Sequence, residues 1–176
     1  THNTVNLSGD LTLSKDHRMY GAYKDENLTT HGFSTLNYDL FTGNTLNFSA
    51  NNALSLNEIG GFEFYNFILD PNIKDPYITA NTINLESEDL IYQEGSIQSK
   101  NAAVNVTGIK GGRELQNGEE FILMSANQNL IGEHGATQTT TIKQGISLEY
   151  DVTTNVDTEG KQVIATIGKN PPLTPL

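Results

Sequence analysis

A phrase of five residues recurs along the chain: Asn3-Thr4-Val5-Asn6-Leu7, Asn44-Thr45-Leu46-Asn47-Phe48 and Asn81-Thr82-Ile83-Asn84-Leu85. Each copy reads Asn-Thr-aliphatic-Asn-apolar, and the copies start 41 (44 minus 3) and 37 (81 minus 44) residues apart. Within a copy apolar and polar residues alternate, so Val5 and Leu7, Leu46 and Phe48, or Ile83 and Leu85 can face a core while Thr and the second Asn face out. A coil of three strands of about five residues, joined by turns of two or three, needs roughly 20 residues, so a spacing near 40 predicts two coils per copy. A propeller blade has a similar period but requires four or more blades and a Trp-Asp or Gly-His signature. The chain has no Trp and holds only three copies. A stack of parallel coils is therefore expected, with Asn side chains of successive coils aligned as amide ladders at the strand spacing.

The chain is 176 residues long, enough for one domain or a segment of a longer solenoid, and 10 Lys plus Arg against 21 Asp plus Glu leave a net charge of −11. Such a surface repels phosphate and anionic headgroups, so nucleic acid is excluded as a partner and anionic membrane surfaces are disfavoured. With no cysteine there is no disulfide, iron-sulfur cluster or thiolate zinc site. No apolar run of about 18 residues spans a bilayer as a helix. Thr1 opens in mid-pattern without an initiator Met or a signal-peptide signature, so an excised fragment is expected.

Short strands are predicted over Thr4 to Leu7 and Leu11 to Ser14, over Phe33 to Leu40, and over Leu54 to Leu56. In Tyr20-Gly21-Ala22-Tyr23 the glycine suits a corner covered by the tyrosine rings, and Lys24 to His31 reads as a loop. Phe62 to Leu69 is apolar on both faces, with Phe62, Phe64 and Ile68 on one and Tyr65, Phe67 and Leu69 on the other, and needs cover on each. Asp70-Pro71 and Asp75-Pro76 bracket an irregular segment. Asp89 to Tyr92, Ser96 to Gln98 and Ala102 to Val106 complete the stack, and no segment has a helical apolar period. Beyond Thr107 the strands lengthen: Glu120 to Ser125, Gly145 to Thr153 and Lys161 to Ile167. Ile146, Leu148, Tyr150 and Val152 alternate with polar residues, as do Val163, Ala165 and Ile167, which predicts an antiparallel hairpin across the open end of the stack. Asn170-Pro171-Pro172-Leu173-Thr174-Pro175 reads as a linker. The expected divisions are coils over 1–106, a cap over 107–168 and a linker over 169–176.

Few residues suggest chemistry. Glu86-Ser87-Glu88 places two carboxylates on one strand face with Asp89 opposite, the raw material for an acid and base pair, but adjacent exposed acids with nothing basic near them in sequence form a solvated face. Asp70, Asp75, Asp89 and Asp151 lack any calcium-loop spacing. His2, His17, His31 and His134 show no metal-ligand pairing and read as surface or turn residues. His17-Arg18 beside Tyr20 offers a contact for an acidic sugar, with a plain loop contact as the simpler reading. Gly-x-Ser-x-Gly, Walker and Gly-x-Gly-x-x-Gly motifs are absent. Asn6, Asn27, Asn47 and Asn105 stand in Asn-x-Ser/Thr sequences, which arise by chance at this composition. No catalytic, cofactor-binding or metal-binding residue is assigned, and no cofactor is expected.

Taken together, Asn44 to Phe48 leading to Ile59 and Phe62-Glu63-Phe64-Tyr65-Asn66-Phe67, then Asp89-Leu90, Val104 to Val106, Glu119-Glu120-Phe121-Ile122-Leu123-Met124 and the final hairpin resemble the C-terminal part of an adhesin-type autotransporter passenger, the exported portion of a bacterial type V secretion protein. Tyr20-Gly21-Ala22-Tyr23 looks like a decayed Gly-Gly-Tyr turn of such passengers. The resemblance implies an all-β fold, a right-handed parallel β-helix capped by a C-terminal antiparallel, autochaperone-like element. It implies a surface adhesin stalk that serves as a folding template during secretion, anchored to the outer membrane through a barrel outside this chain. Its partners would be a cell-surface or matrix ligand, that barrel, and other copies of itself. The chain is expected not to be an enzyme. The alternative is a polysaccharide-degrading β-helix, a lyase or glycosidase.

Overall fold

The computed structural model describes residues 2–21, 42–74, 76–93, 96–132 and 138–169, with the side chains of 87–100 and 169 left aside. The strand expected at 33–40, the loop at 24–31, Tyr23, Asp75, His31, His134 and the linker from 170 lie outside the described residues. The described chain is all-β, with parallel and mixed sheets and no helix. Its strands are β1 (Thr4–Gly9), β2 (Arg18–Tyr20), β3 (Thr45–Ala50), β4 (Leu54–Gly60), β5 (Phe64–Leu69), β6 (Ile78–Asn84), β7 (Glu86–Gln93), β8 (Ser96–Asn101), β9 (Ala103–Ile109), β10 (Glu120–Ile131), β11 (Gln138–Gln144), β12 (Leu148–Asp157) and β13 (Gln162–Lys169).

Setting aside β7 and β8, the chain passes alternately through two sheets as far as β10. The first has the order β1-β3-β5-β9, all parallel. The second begins β2-β4-β6-β10, also parallel, and continues through β13, β12 and β11 as antiparallel neighbours. Each rung of the stack thus gives one strand to each sheet. Alternation places Leu46, Phe48, Tyr65, Phe67, Leu69, Val104 and Val106 inside, against Leu54, Leu56, Ile59, Ile78, Ala80 and Ile83 of the second sheet. Aromatic rings fill the centre: Tyr77 stacks on Phe48 at 5.4 Å, and Phe48 lies 5.5 Å from Phe67. The Tyr77 hydroxyl, which burial pushes far above its usual range, exchanges hydrogen bonds with the Asp70 main chain, accepting from N at 2.8 Å and donating to O at 3.0 Å.

Several expectations change. The interval near 40 is one rung with an insertion, not two coils: the register steps in the first sheet are 41 (45 minus 4), 19 (64 minus 45) and 39 (103 minus 64). The bare rung is the 19-residue step, and the 39-residue step carries the antiparallel hairpin β7–β8. The first two copies of the phrase stack in register, Thr4 on Thr45 and Leu7 on Phe48, but the third is β6, in the other sheet. Leu11 to Ser14 forms no strand. Phe62 packs on Gly21, where a Cβ would meet the Gly61 carbonyl at 2.6 Å and the Phe62 ring at 2.7 Å; Tyr23 of the expected tyrosine corner lies outside the described residues. Only the odd face of β5 is fully buried, while Phe64 and Ile68 are half-buried on the outside.

The hairpin at the end of the chain pairs as expected, β12 with β13, but it starts later: Ile146 sits fully exposed in the turn before Leu148. β11 is an additional strand that the alternation rule passed over, because Gln138-Thr139-Thr140-Thr141 has no apolar residue to alternate.

Candidate functional site

The outer face of the first sheet carries a row of hydrogen-bonded amides. Asn47 Nδ2 donates to Asn6 Oδ1 at 3.0 Å, Asn66 Nδ2 to Asn47 Oδ1 at 3.1 Å, and Asn105 Nδ2 to Asn66 Oδ1 at 3.1 Å. A second ladder climbs the other sheet, where Asn81 Nδ2 donates to Asn57 Oδ1 at 3.0 Å and Asn127 Nδ2 to Asn81 Oδ1 at 3.2 Å. In both, every amide donates toward the preceding rung. Along β4, Leu56 and Ile59 face inward with Asn57 and Glu58 between them, and in β6 Ala80 and Ile83 flank Asn81 and Thr82. Two successive non-core residues move the inward face by one position, so these strands turn a corner at the ladder Asn.

The sequence placed the first ladder's lower half correctly and missed its upper half. The row Thr4-Thr45-Phe64-Ala103 flanks it on one side and the pairs Ser8-Ser49 and Ile68-Gly108 on the other, and none of these residues carries a charge. In a chain of net charge −11 these rows form a neutral patch. Three of the chance sequons, Asn6, Asn47 and Asn105, are thereby accounted for as ladder members, and Asn27 lies outside the described residues.

Polar groups also fasten the ends of the strands. Asn44, fully buried, accepts from Asn3 N at 3.0 Å and donates to Gly61 O at 3.4 Å. Asn52 holds both backbone groups of Leu11, accepting from N at 3.0 Å and donating to O at 2.7 Å. The Lys110 ammonium donates to Ser49 O at 2.8 Å, Ala50 O at 3.3 Å and Asn51 Oδ1 at 3.2 Å, with Asp70 Oδ2 at 3.7 Å. One cation therefore ties together the ends of β3, β5 and β9.

The cap joins the stack through a second polar cluster. Gln144, buried on β11, donates to Lys110 O at 3.1 Å and Arg113 O at 3.0 Å, while accepting from the Tyr150 hydroxyl at 3.1 Å. That hydroxyl accepts in turn from Leu115 N at 3.1 Å. The buried Thr154 hydroxyl of β12 donates to Val104 O at 3.2 Å, covering a carbonyl of β9, the last strand of its sheet. Below it Arg113 grips Glu119 with two bonds of 2.8 and 2.6 Å. This pairing, helped by the Gln116 main-chain N–H, holds the Glu119 carboxyl below its usual range.

Among the described side chains, the residues singled out for chemistry do not converge. Glu86 to Asp89 lie on β7, in register with Asn101 to Gln98 of β8. Asp70 faces Lys110, and Asp151 on β12 accepts from the Thr141 hydroxyl at 3.0 Å. Among the described residues no group of three or more His, Asp or Glu gathers as a metal site. His17 closes a turn, its Nδ1 accepting from Ser14 N at 3.0 Å. Arg18 and Tyr20 are both engaged by Glu58, the first at 3.8 Å and the second by a direct hydrogen bond. Burial pushes the Tyr65 phenol far above its usual range, and among the described residues it is the one buried side-chain polar atom without a partner.

Comparison with protein-family models, with curated proteins and with solved structures finds no match to this chain.

A carboxylate whose pKa is lowered on folding adds stability above the unfolded-state pKa and loses it as pH falls through the folded one. Glu119→Gln is therefore expected to be less stable than the parent at neutral pH, with the difference shrinking to near zero in acid. Urea denaturation across the acidic range checks this. A difference that grows on acidification would contradict the Arg113 pairing.

Proposed function

We propose that this chain is the membrane-proximal part of an autotransporter passenger: a right-handed parallel β-helix that acts as a surface adhesin stalk, with a C-terminal cap that serves as its folding template. The observation that carries this reading is the continuity of the second sheet, in which parallel β10 and antiparallel β13 are neighbours. A cap built this way offers an edge to incoming rungs at one side and closes the stack at the other. The corner that β4 and β6 turn at Asn57 and Asn81 supports a coil with three faces.

In this reading the molecule sits on the bacterial surface, tethered through an outer-membrane barrel encoded beyond this chain. The neutral Asn face is the surface where a second copy docks without burying a charge, whereas like-charged copies repel elsewhere. A cell-surface or matrix ligand is the other partner class. The proposed role is binding and support.

Removal of residues 138–169 strips the antiparallel cap and leaves β10 with a bare edge. Refolding of the shortened chain should be slower and should aggregate, followed by light scattering against the intact chain. Unchanged yield and cooperativity would refute the template role. Separately, the reading frame should encode an export signal upstream and a run of alternating strands of barrel type downstream. A stop codon directly after Leu176 would refute the anchored-stalk reading while leaving the folding result untouched.

A further inference from the structure

Asn117-Gly118 is the single Asn-Gly pair in the chain. Glycine leaves the following amide nitrogen unhindered, the condition under which that nitrogen attacks the Asn side-chain carbonyl. The ladder residues are the opposite case: Asn6, Asn47, Asn66 and Asn105 precede Leu, Phe, Phe and Val inside extended strands. Asn117 and Gly118 are exposed in a turn, with Gly118 at φ +85°. The turn is clasped to β13, since Gly118 N donates to Ile167 O at 2.6 Å and Ile167 N donates to Glu119 O at 2.8 Å.

The nitrogen that must react is thus the one that holds the cap strand. We propose that Asn117 is a site of spontaneous deamidation, shielded while β13 is docked and exposed when it detaches, and that isoaspartate formed there prevents the strand from docking again. The step balances without a co-reactant other than water. Gly118 N loses its proton to solvent and bonds to Asn117 Cγ, and the Cγ–Nδ2 bond breaks with release of ammonia. Water then opens the resulting succinimide at either carbonyl, giving aspartate or isoaspartate. Isoaspartate lengthens the main chain by one methylene inside the turn that Glu119 N closes by donating to Gln116 O at 3.1 Å, so that turn no longer presents Gly118 N and Glu119 O to Ile167 in the same way. It also sets a new carboxylate beside Glu119 and Glu120, where Arg113 is already committed to Glu119.

This inference concerns the cap itself and stands whether or not the chain is exported. The test incubates the intact chain, native and in denaturant, at neutral pH, and maps deamidated peptides by mass spectrometry that separates aspartate from isoaspartate. In denaturant Asn117 should react before any other Asn. In the native protein it should react at least about tenfold more slowly, because reaction waits on local opening. The isoaspartate form should lose hydrogen-exchange protection at Ile167, whereas Asn117→Asp, with a normal backbone, should keep it. A native rate that falls short of that slowing, another Asn reacting first, or full protection at Ile167 in the isoaspartate form would each overturn the proposal.

Discussion

A strand added to a parallel stack is fixed by hydrophobicity only up to an even number of residues. A slip of one turns the apolar face outward, but a slip of two keeps every side chain on its proper side. What separates the correct register from the slipped one here is the amide ladder. Asn66 meets Asn47 and Asn105 only when Tyr65 lies on Leu46 and Val104 on Tyr65. Slipped by two, an amide faces a hydroxyl or an apolar group and its partner is left unpaired. Two ladders, one per sheet, impose the same condition on both halves of each rung.

With register set, the rest of the interior follows. Leu7, Phe48, Phe67 and Val106 come into line, and Tyr77 closes over the two rings from the connection between β5 and β6. The ends of the strands are then held by Asn44, Asn52 and the Lys110 ammonium, each supplying hydrogen bonds that a turning backbone cannot make for itself. In the last rung β10 pairs with β13, while β9 ends its sheet and is covered by the cap through Thr154 and Gln144. Acidic residues are kept off the neutral ladder face, so a net charge of −11 and a closely stacked polar row coexist.

The stacked character of the chain and the amide ladder were legible in the first two phrases, as was the terminal hairpin. The third phrase misled because the same five letters serve a different geometry. In the first two copies the second Asn, Asn6 or Asn47, enters the ladder and the first, Asn3 or Asn44, sits at a corner; in the third, Asn81 enters a ladder and Asn84 closes the turn by accepting from Glu86 N. The better signal was shorter. Val5-Asn6-Leu7, Leu46-Asn47-Phe48, Tyr65-Asn66-Phe67 and Val104-Asn105-Val106 share an Asn between two inward apolar residues, which is what an outward amide on a flat strand requires. The second ladder uses apolar-Asn-polar, as in Leu56-Asn57-Glu58 and Ala80-Asn81-Thr82, because its strands bend there. Insertions hid the period: one 19-residue rung lies between two of 41 and 39. β11 and Gln144 were invisible because a Thr-rich edge strand and a lone buried amide leave no apolar pattern.

A double-mutant cycle on Asn47 and Asn66 measures the stacking directly. With Asn47→Ala, Asn66→Ala and the double variant unfolded in urea, adjacent ladder members should couple by about 0.5–1.5 kcal/mol, the range of a net hydrogen bond. The same cycle on Asn47 and Asn84, which the repeated phrase pairs but the fold places in different sheets, should give no coupling. Coupling between Asn47 and Asn84 with none between Asn47 and Asn66 would contradict the arrangement of rungs on which this account stands.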